Sequence, residues 1–233
     1  MSLKPNNNET GSGWIDVSVP LREDMAVFAN EQKLRIERRA SMERGDGSNN
    51  TTLHIGVHTG THLDAPRHGI ANGKTIDQMP LDIAIGPARV IEIKDNRTVR
   101  PEELKQYTFK RGERILFKTT NSERCWKTDN FVEDFVDISP EAAQVLADAG
   151  LSLIGLDYLS VRAPASQTGT HKILLGAGIW LLEGLNLSGV TAGNYDLICL
   201  PLRIVRNDGS PVRAVLRPIL QGINRSTQNP KIL

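Results

Sequence analysis

Four of the chain's five histidines, His54, His58, His62 and His68, fall within fifteen residues, and three of them share the stretch His58-Thr-Gly-Thr-His-Leu-Asp-Ala-Pro-Arg-His68 with Asp64. Neutral imidazole and carboxylate are the ligands that zinc and manganese accept, so His58, His62 and Asp64 offer three donors within seven residues. In an extended chain, positions 58, 62, 64 and 68 share one parity and project from one face. A lone histidine is more often a hydrogen-bonded polar residue than a ligand. Three of them with an aspartate at this spacing favour a metal. A helix would also place His58 and His62 on one face, but Thr59, Gly60, Thr61 and Pro66 are poor helix-interior residues. The stretch reads as a strand end running into a loop, and His54 as a strand residue.

Other metal and nucleophile patterns fail. The helical zinc-protease motif needs a glutamate directly after its first histidine, where this chain has Thr59. No glycine-rich phosphate loop ends in Lys-Ser/Thr, no Gly-x-Ser-x-Gly elbow is present, and no Gly-x-Gly-x-x-Gly follows a strand. A serine hydrolase or nucleotide enzyme therefore has no support.

The elements that must position these residues come from a chain of 233 residues, 39% hydrophobic, enough for one sizeable core. No linker divides it. Residues 1–12 are polar and rich in Asn, Gly and Ser, and are expected to be disordered or added in cloning. The domain is expected over 13–225, with 226–233 as a tail. A net charge of +1 gives no footprint for nucleic acid. No apolar run is long enough to span a membrane and no leader is visible, so a cytoplasmic enzyme is expected. Cys125 and Cys199 are too few for a disulfide framework.

Alternating Ile15, Val17 and Val19 suggest a first strand. Residues 33–42 and 51–57 suggest a hairpin that delivers the metal motif, with the turn-forming Gly45–Asn50 between them. Further strands are expected at 88–93, 114–118, 151–156, 196–202 and 212–220. Arg100–Leu104 opens a short helix, and Ser139-Pro140-Glu141 begins a clearer one that should end near Ala149, with Gly150 at the left-handed position. These elements make a strand-rich, single-domain α/β fold. In the second half, His171 alone reads as an exposed loop histidine. Glu183 lies in the apolar segment Ile179–Gly184, where burial demands either an arginine partner or a metal, and the residues leave both open.

The stretch HTGTHLDAPRH closely resembles the His-x-Gly-Thr/Ala-His-x-Asp-x-Pro-x-His signature of the cyclase family of metal-dependent hydrolases, whose best-known members are bacterial kynurenine formamidases. Similar segments continue at 154–161, His171, 180–187 and 195–216, so that the resemblance covers most of residues 14–220. It implies a swivelling β/β/α fold, usually a homodimer, and one or two divalent ions, zinc first and manganese second. His58, His62 and Asp64 would hold one ion, and Asp64 would bridge to a second held by His171 and Glu183. His68 would be the acid/base that is not a ligand. The implied reaction is hydrolysis of a small amide, N-formylkynurenine to kynurenine and formate. The alternatives are hydrolysis of another cyclic amide or ester, such as isatin, and metal binding without turnover. Family members often carry Pro-Gly-Asp after an aromatic residue bordering the substrate pocket, whereas Phe28 is followed here by Ala29-Asn30-Glu31. Phe28 and Trp14 are the candidates for an aromatic wall.

Overall fold

Nine strands form one mixed sheet in the order Ile15–Asp16, Val215–Pro218, Gly193–Ile198, Ile85–Glu92, Arg114–Lys118, Leu153–Leu156, Trp180–Glu183, His62–Asp64 and Gly209–Pro211. The computed structural model describes residues 13–29 and 31–219, so the expected N-terminal segment 1–12 and tail 226–233 lie outside the described residues. The four strands from Ile85–Glu92 to Trp180–Glu183 are parallel to one another, and the remaining pairings are antiparallel. Arg114–Lys118, Leu153–Leu156 and Trp180–Glu183 are mostly or wholly apolar and buried, as a parallel strand covered on both faces requires.

Two apolar layers cover the sheet. Leu63, Leu116, Trp180 and Leu182 pack on one face with Val17, Leu185 and Leu197. On the other face Ile115, Phe117, Ile154 and Leu181 meet Ala142, Ala143 and Leu146 of the helix Pro140–Asp148, and Leu174 and Leu175 of the helix Thr170–Gly176. The first helix forms as its end signals dictate: Ser139 Oγ accepts from the Ala142 amide at 3.1 Å, and Gly150 takes a φ of 68°. The second carries no comparable signal and replaces the loop expected around His171.

The hairpin exists as Arg35–Ala40 paired with Asn50–His54, a separate two-stranded sheet. The first strand pairs only over Ile15–Asp16, with Ser18 bridged to Leu185. The strand expected over 196–202 runs instead over Gly193–Ile198, ending opposite Ile85 where its partner strand begins, and Pro201 is joined only by an isolated bridge to Val212. The last expected strand, 212–220, forms over Val215–Pro218, and a further strand, Gly209–Pro211, stands just before the expected range.

Gly184, which follows the strand Trp180–Glu183, has a φ of 72°, and a Cβ there would lie 2.0 Å from the Gly60 carbonyl oxygen. Both the backbone conformation and the approach require glycine. Gly184→Ala is expected to destabilise the protein by at least about 3 kcal/mol, the sum of left-handed strain and overpacking. Urea unfolding measures this, and a loss under about 1 kcal/mol, the range of an ordinary substitution, would contradict the tight approach.

Candidate metal centre

The sheet register places the first three side chains. His62 and Asp64 are two apart on one strand and leave the same face. Glu183 stands opposite His62 on the neighbouring strand, and its Oε2 lies 3.2 Å from His62 Nε2. His62 Nδ1 donates to the Gly60 carbonyl at 2.9 Å, which leaves Nε2 directed at the carboxylates. Glu183 Oε1 accepts from the Val161 amide at 2.6 Å. The loop carrying Val161 is anchored by buried Asp157, which accepts from the backbone amides and hydroxyls of both Thr119 and Ser122.

Turns and a helix bring the others. His58 precedes the strand, with Nδ1 2.6 Å from Asp64 Oδ1 and Nε2 3.0 Å from Asp208 Oδ2. His68 closes the turn Pro66–His68; its Nε2 is 3.8 Å from Asp64 Oδ2 and its Nδ1 3.5 Å from Asp208 Oδ2. His171, in the first turn of Thr170–Gly176, points Nε2 at Glu183 Oε1, 3.4 Å away, and stands 3.8 Å from Asp64 Oδ2. The charges perturb one another strongly. Burial would depress the His58 imidazole, but hydrogen bonds to Asp64 and Asp208 outweigh it and push it up to about 10. Burial likewise opposes protonation of His171, and Glu183 prevails to raise it. Glu183 itself is held below the usual carboxylate range: burial works against this, and His171 and His62 overcome it.

Within the cluster one buried side-chain oxygen remains unsatisfied. Asp64 Oδ2 is buried with no hydrogen-bond partner, an arrangement that costs about 1–3 kcal/mol or more for a charged group. Its imidazole neighbours at 3.8 Å are beyond hydrogen-bond reach. Ligand atoms of His58, Asp64 and His68 all lie within 4.8 Å of one another, and so do those of His62, Asp64 and Glu183. Asp64 is common to both groups, and nitrogen with carboxylate oxygen is a donor set for a divalent ion. The residues fit a metal. The grouping differs in detail from the division that the resemblance implies, since His62 lies with Glu183 and His68 lies among the donors around His58.

A cavity of about 220 Å³ opens onto this cluster, walled by Phe28 and Leu159 and by the polar Glu31, Ser160 and Arg162. Phe28 is thus at the site. Trp14 is not: it lies under the Arg217 guanidinium, 4.6 Å from its ring centre, because the strand after it pairs at the sheet edge remote from His62–Asp64. His54 pairs with Glu37 on the hairpin, 3.1 Å away. Asp208 was invisible in the sequence analysis, since only the pairing of Gly209 with Asp64 carries it to the site. Glu31 and Arg162 carry no motif of their own.

Comparisons with known proteins agree with this construction. The family model described as "Putative cyclase" matches residues 15–163. A kynurenine formamidase of Salinibacter ruber is 42% identical over 87% of this chain and 96% of its own length. The chain belongs to the cyclase family. A solved structure described as a "potential metal-dependent hydrolase with cyclase activity" superposes with a TM-score of 0.76 at 32% identity, over 87% of this chain and 96% of that one. Isatin hydrolase A from Labrenzia aggregata superposes with a TM-score of 0.73 at 25% identity, over 87% and 92%. The strand-rich α/β architecture is therefore the fold of the family.

If the unsatisfied Asp64 oxygen belongs to a metal site, zinc or manganese will stabilise chelator-treated protein. At a hundredfold excess over the dissociation constant the gain is about 2.7 kcal/mol, read as a rise in melting temperature. Asp64→Ala is expected to abolish that rise. An equal rise in the variant would contradict the assignment.

Proposed function

We propose that this chain is a metal-dependent amidohydrolase that converts N-formylkynurenine to kynurenine and formate. The observation that carries this reading is the buried, unpartnered Asp64 oxygen among imidazoles at the floor of a cavity with an apolar wall. The kynurenine formamidase relatives give the substrate.

In this reading His58, His62 and Asp64 hold one divalent ion, and Asp64, His171 and Glu183 a second; zinc is the first candidate and manganese the next. Such ions supply Lewis acidity, acidifying water and polarising a carbonyl. The chain's own residues do the rest. The Gly60 carbonyl holds His62 in the tautomer whose Nε2 is available as a donor. The Val161 amide fixes the Glu183 carboxylate. Phe28 and Leu159 cover the aryl ring. The amide C–N bond breaks as water adds to the formyl carbon, and the leaving aryl amine needs a proton. His68 Nε2 donates it and regains a proton from the attacking water, so that the ring ends the cycle as it began, while Asp208 Oδ2 lies 3.5 Å from Nδ1.

A second reading, hydrolysis of a cyclic amide such as isatin, draws on the isatin hydrolase superposition. Assay of N-formylkynurenine beside isatin and simple esters separates the two, and no turnover of any would leave a metal-binding protein. The reading includes a homodimer in the cytoplasm. Leu81 and Leu200 line a second cavity of about 410 Å³ and are exposed, an apolar surface that a second copy would cover. Cys125 and Cys199 are buried and unbridged, which fits a reducing compartment.

Two outcomes test the division of labour. Elemental analysis should find up to two ions per chain, both reduced in Asp64→Ala and one spared in His171→Ala; loss of only one ion in both variants would remove the bridge. His68→Ala should keep its metal and lose about 10²- to 10⁴-fold in kcat. The loss should shrink on esters whose leaving groups need no proton. A metal-depleted His68→Ala protein with uniform loss on every substrate would make His68 a ligand instead.

A further inference from the structure

Two charged side chains on the cavity wall are left over from the metal cluster. Arg162 follows the loop that fixes Glu183, and its hydrogen bonds, to the carbonyls of Ala163, Pro164 and Ser166, all leave from Nη1. No carboxylate among the described residues lies within ion-pair distance of it. Glu31 is exposed, and its backbone amide donates to the carbonyl of Phe28, its neighbour on the cavity wall, at 2.8 Å. Its carboxylate has no cationic partner among the described residues either. Most charges near one another on this protein are paired: Arg22 with Asp24, Arg89 with Glu113, Arg124 with Asp134. An arginine and a glutamate on the walls of one cavity, paired neither with each other nor with anything else described, are therefore a recognition pattern rather than a structural bridge.

The geometry points to Arg162 and Glu31 as a clamp for the zwitterionic end of an α-amino acid, Arg162 taking the carboxylate and Glu31 the ammonium. The anchored Nη1 holds the guanidinium plane in place and leaves Nε and Nη2 to present two donors to a carboxylate. Phe28 and Leu159 lie on the same cavity wall and suit the aryl portion, so polar end, ring and cluster are served by one pocket. The inference rests on the proposed formamidase reading and deepens it: N-formylkynurenine carries an α-carboxylate and an α-ammonium, and isatin carries neither. Arg162 and Glu31 would then set specificity without touching the reacting bond.

Binding of three ligands to the metal-loaded protein, measured by calorimetry, tests the clamp apart from turnover. They are L-kynurenine, kynuramine, which lacks the carboxylate, and the desamino acid 3-(2-aminobenzoyl)propanoate, which lacks the ammonium. The wild type should bind kynurenine at least about tenfold tighter than either analogue, the scale of one charge-assisted contact. Arg162→Gln should erase the preference over kynuramine and keep that over the desamino acid. Glu31→Gln should do the reverse, and Arg162→Lys should recover part of the carboxylate preference. Equal wild-type affinities, or a variant that weakens all three ligands alike, would overturn the clamp. Wild-type turnover of 2′-formamidoacetophenone, an aryl formamide without either charge, tests the formamidase reading separately. If it is hydrolysed while the ligands are not discriminated, only the clamp falls. If discrimination holds without any formamide turnover, the clamp stands and the reaction is wrong.

Discussion

The antiparallel register of three short strands is the constraint on which the site depends. His62 faces Glu183 and Asp64 faces Gly209, so one ladder places two ligand-type carboxylates and an imidazole on a single face and carries Asp208 alongside. A slip of one residue would turn His62, Asp64 and Glu183 into the opposite apolar layer and Leu63 and Leu182 into the cluster, which burial forbids. The hydrophobic alternation of these strands is thus also the positioning device for the polar groups. Gly60 and Gly184 allow the backbones to meet closely enough for it.

The cluster that results is a concentration of opposed charges bought with stability. Asp64, Glu183 and His62 are almost wholly buried, and burying ions costs several kcal/mol each unless partners compensate. The imidazoles compensate in part, as the raised His58 and His171 and the lowered Glu183 show. They do not reach Asp64 Oδ2. That residue of unmet electrostatic demand is what a divalent cation would satisfy, and a site that is locally unfavourable until loaded is the usual signature of function.

Much of this was legible in the sequence, for identifiable reasons. The helix Pro140–Asp148 announced itself through Ser139, Pro140 and Gly150, local signals that need no tertiary context. The parity argument holds for His62 and Asp64, which share a strand, and not for His58 and His68, which reach the cluster through turns. The helix Thr170–Gly176 starts from Gly169 with a φ of 124° and no side-chain cap, so its residues carried no start signal. Asp208 and Arg162 are placed by pairings and loop anchors more than twenty residues away in sequence, which no local pattern encodes. Trp14 was placed by residue type alone, and the strand beside it pairs at the wrong edge of the sheet.

Anomalous diffraction from crystals grown with zinc, collected on both sides of the zinc absorption edge, tests the central claim most directly. A peak is expected within about 2.0–2.2 Å of Asp64 Oδ2, with either the His58 and His62 nitrogens or the His171 nitrogen and a Glu183 oxygen completing its surroundings. Crystals that show no anomalous peak at the cluster, or zinc bound elsewhere while Asp64 Oδ2 keeps no partner, would contradict it.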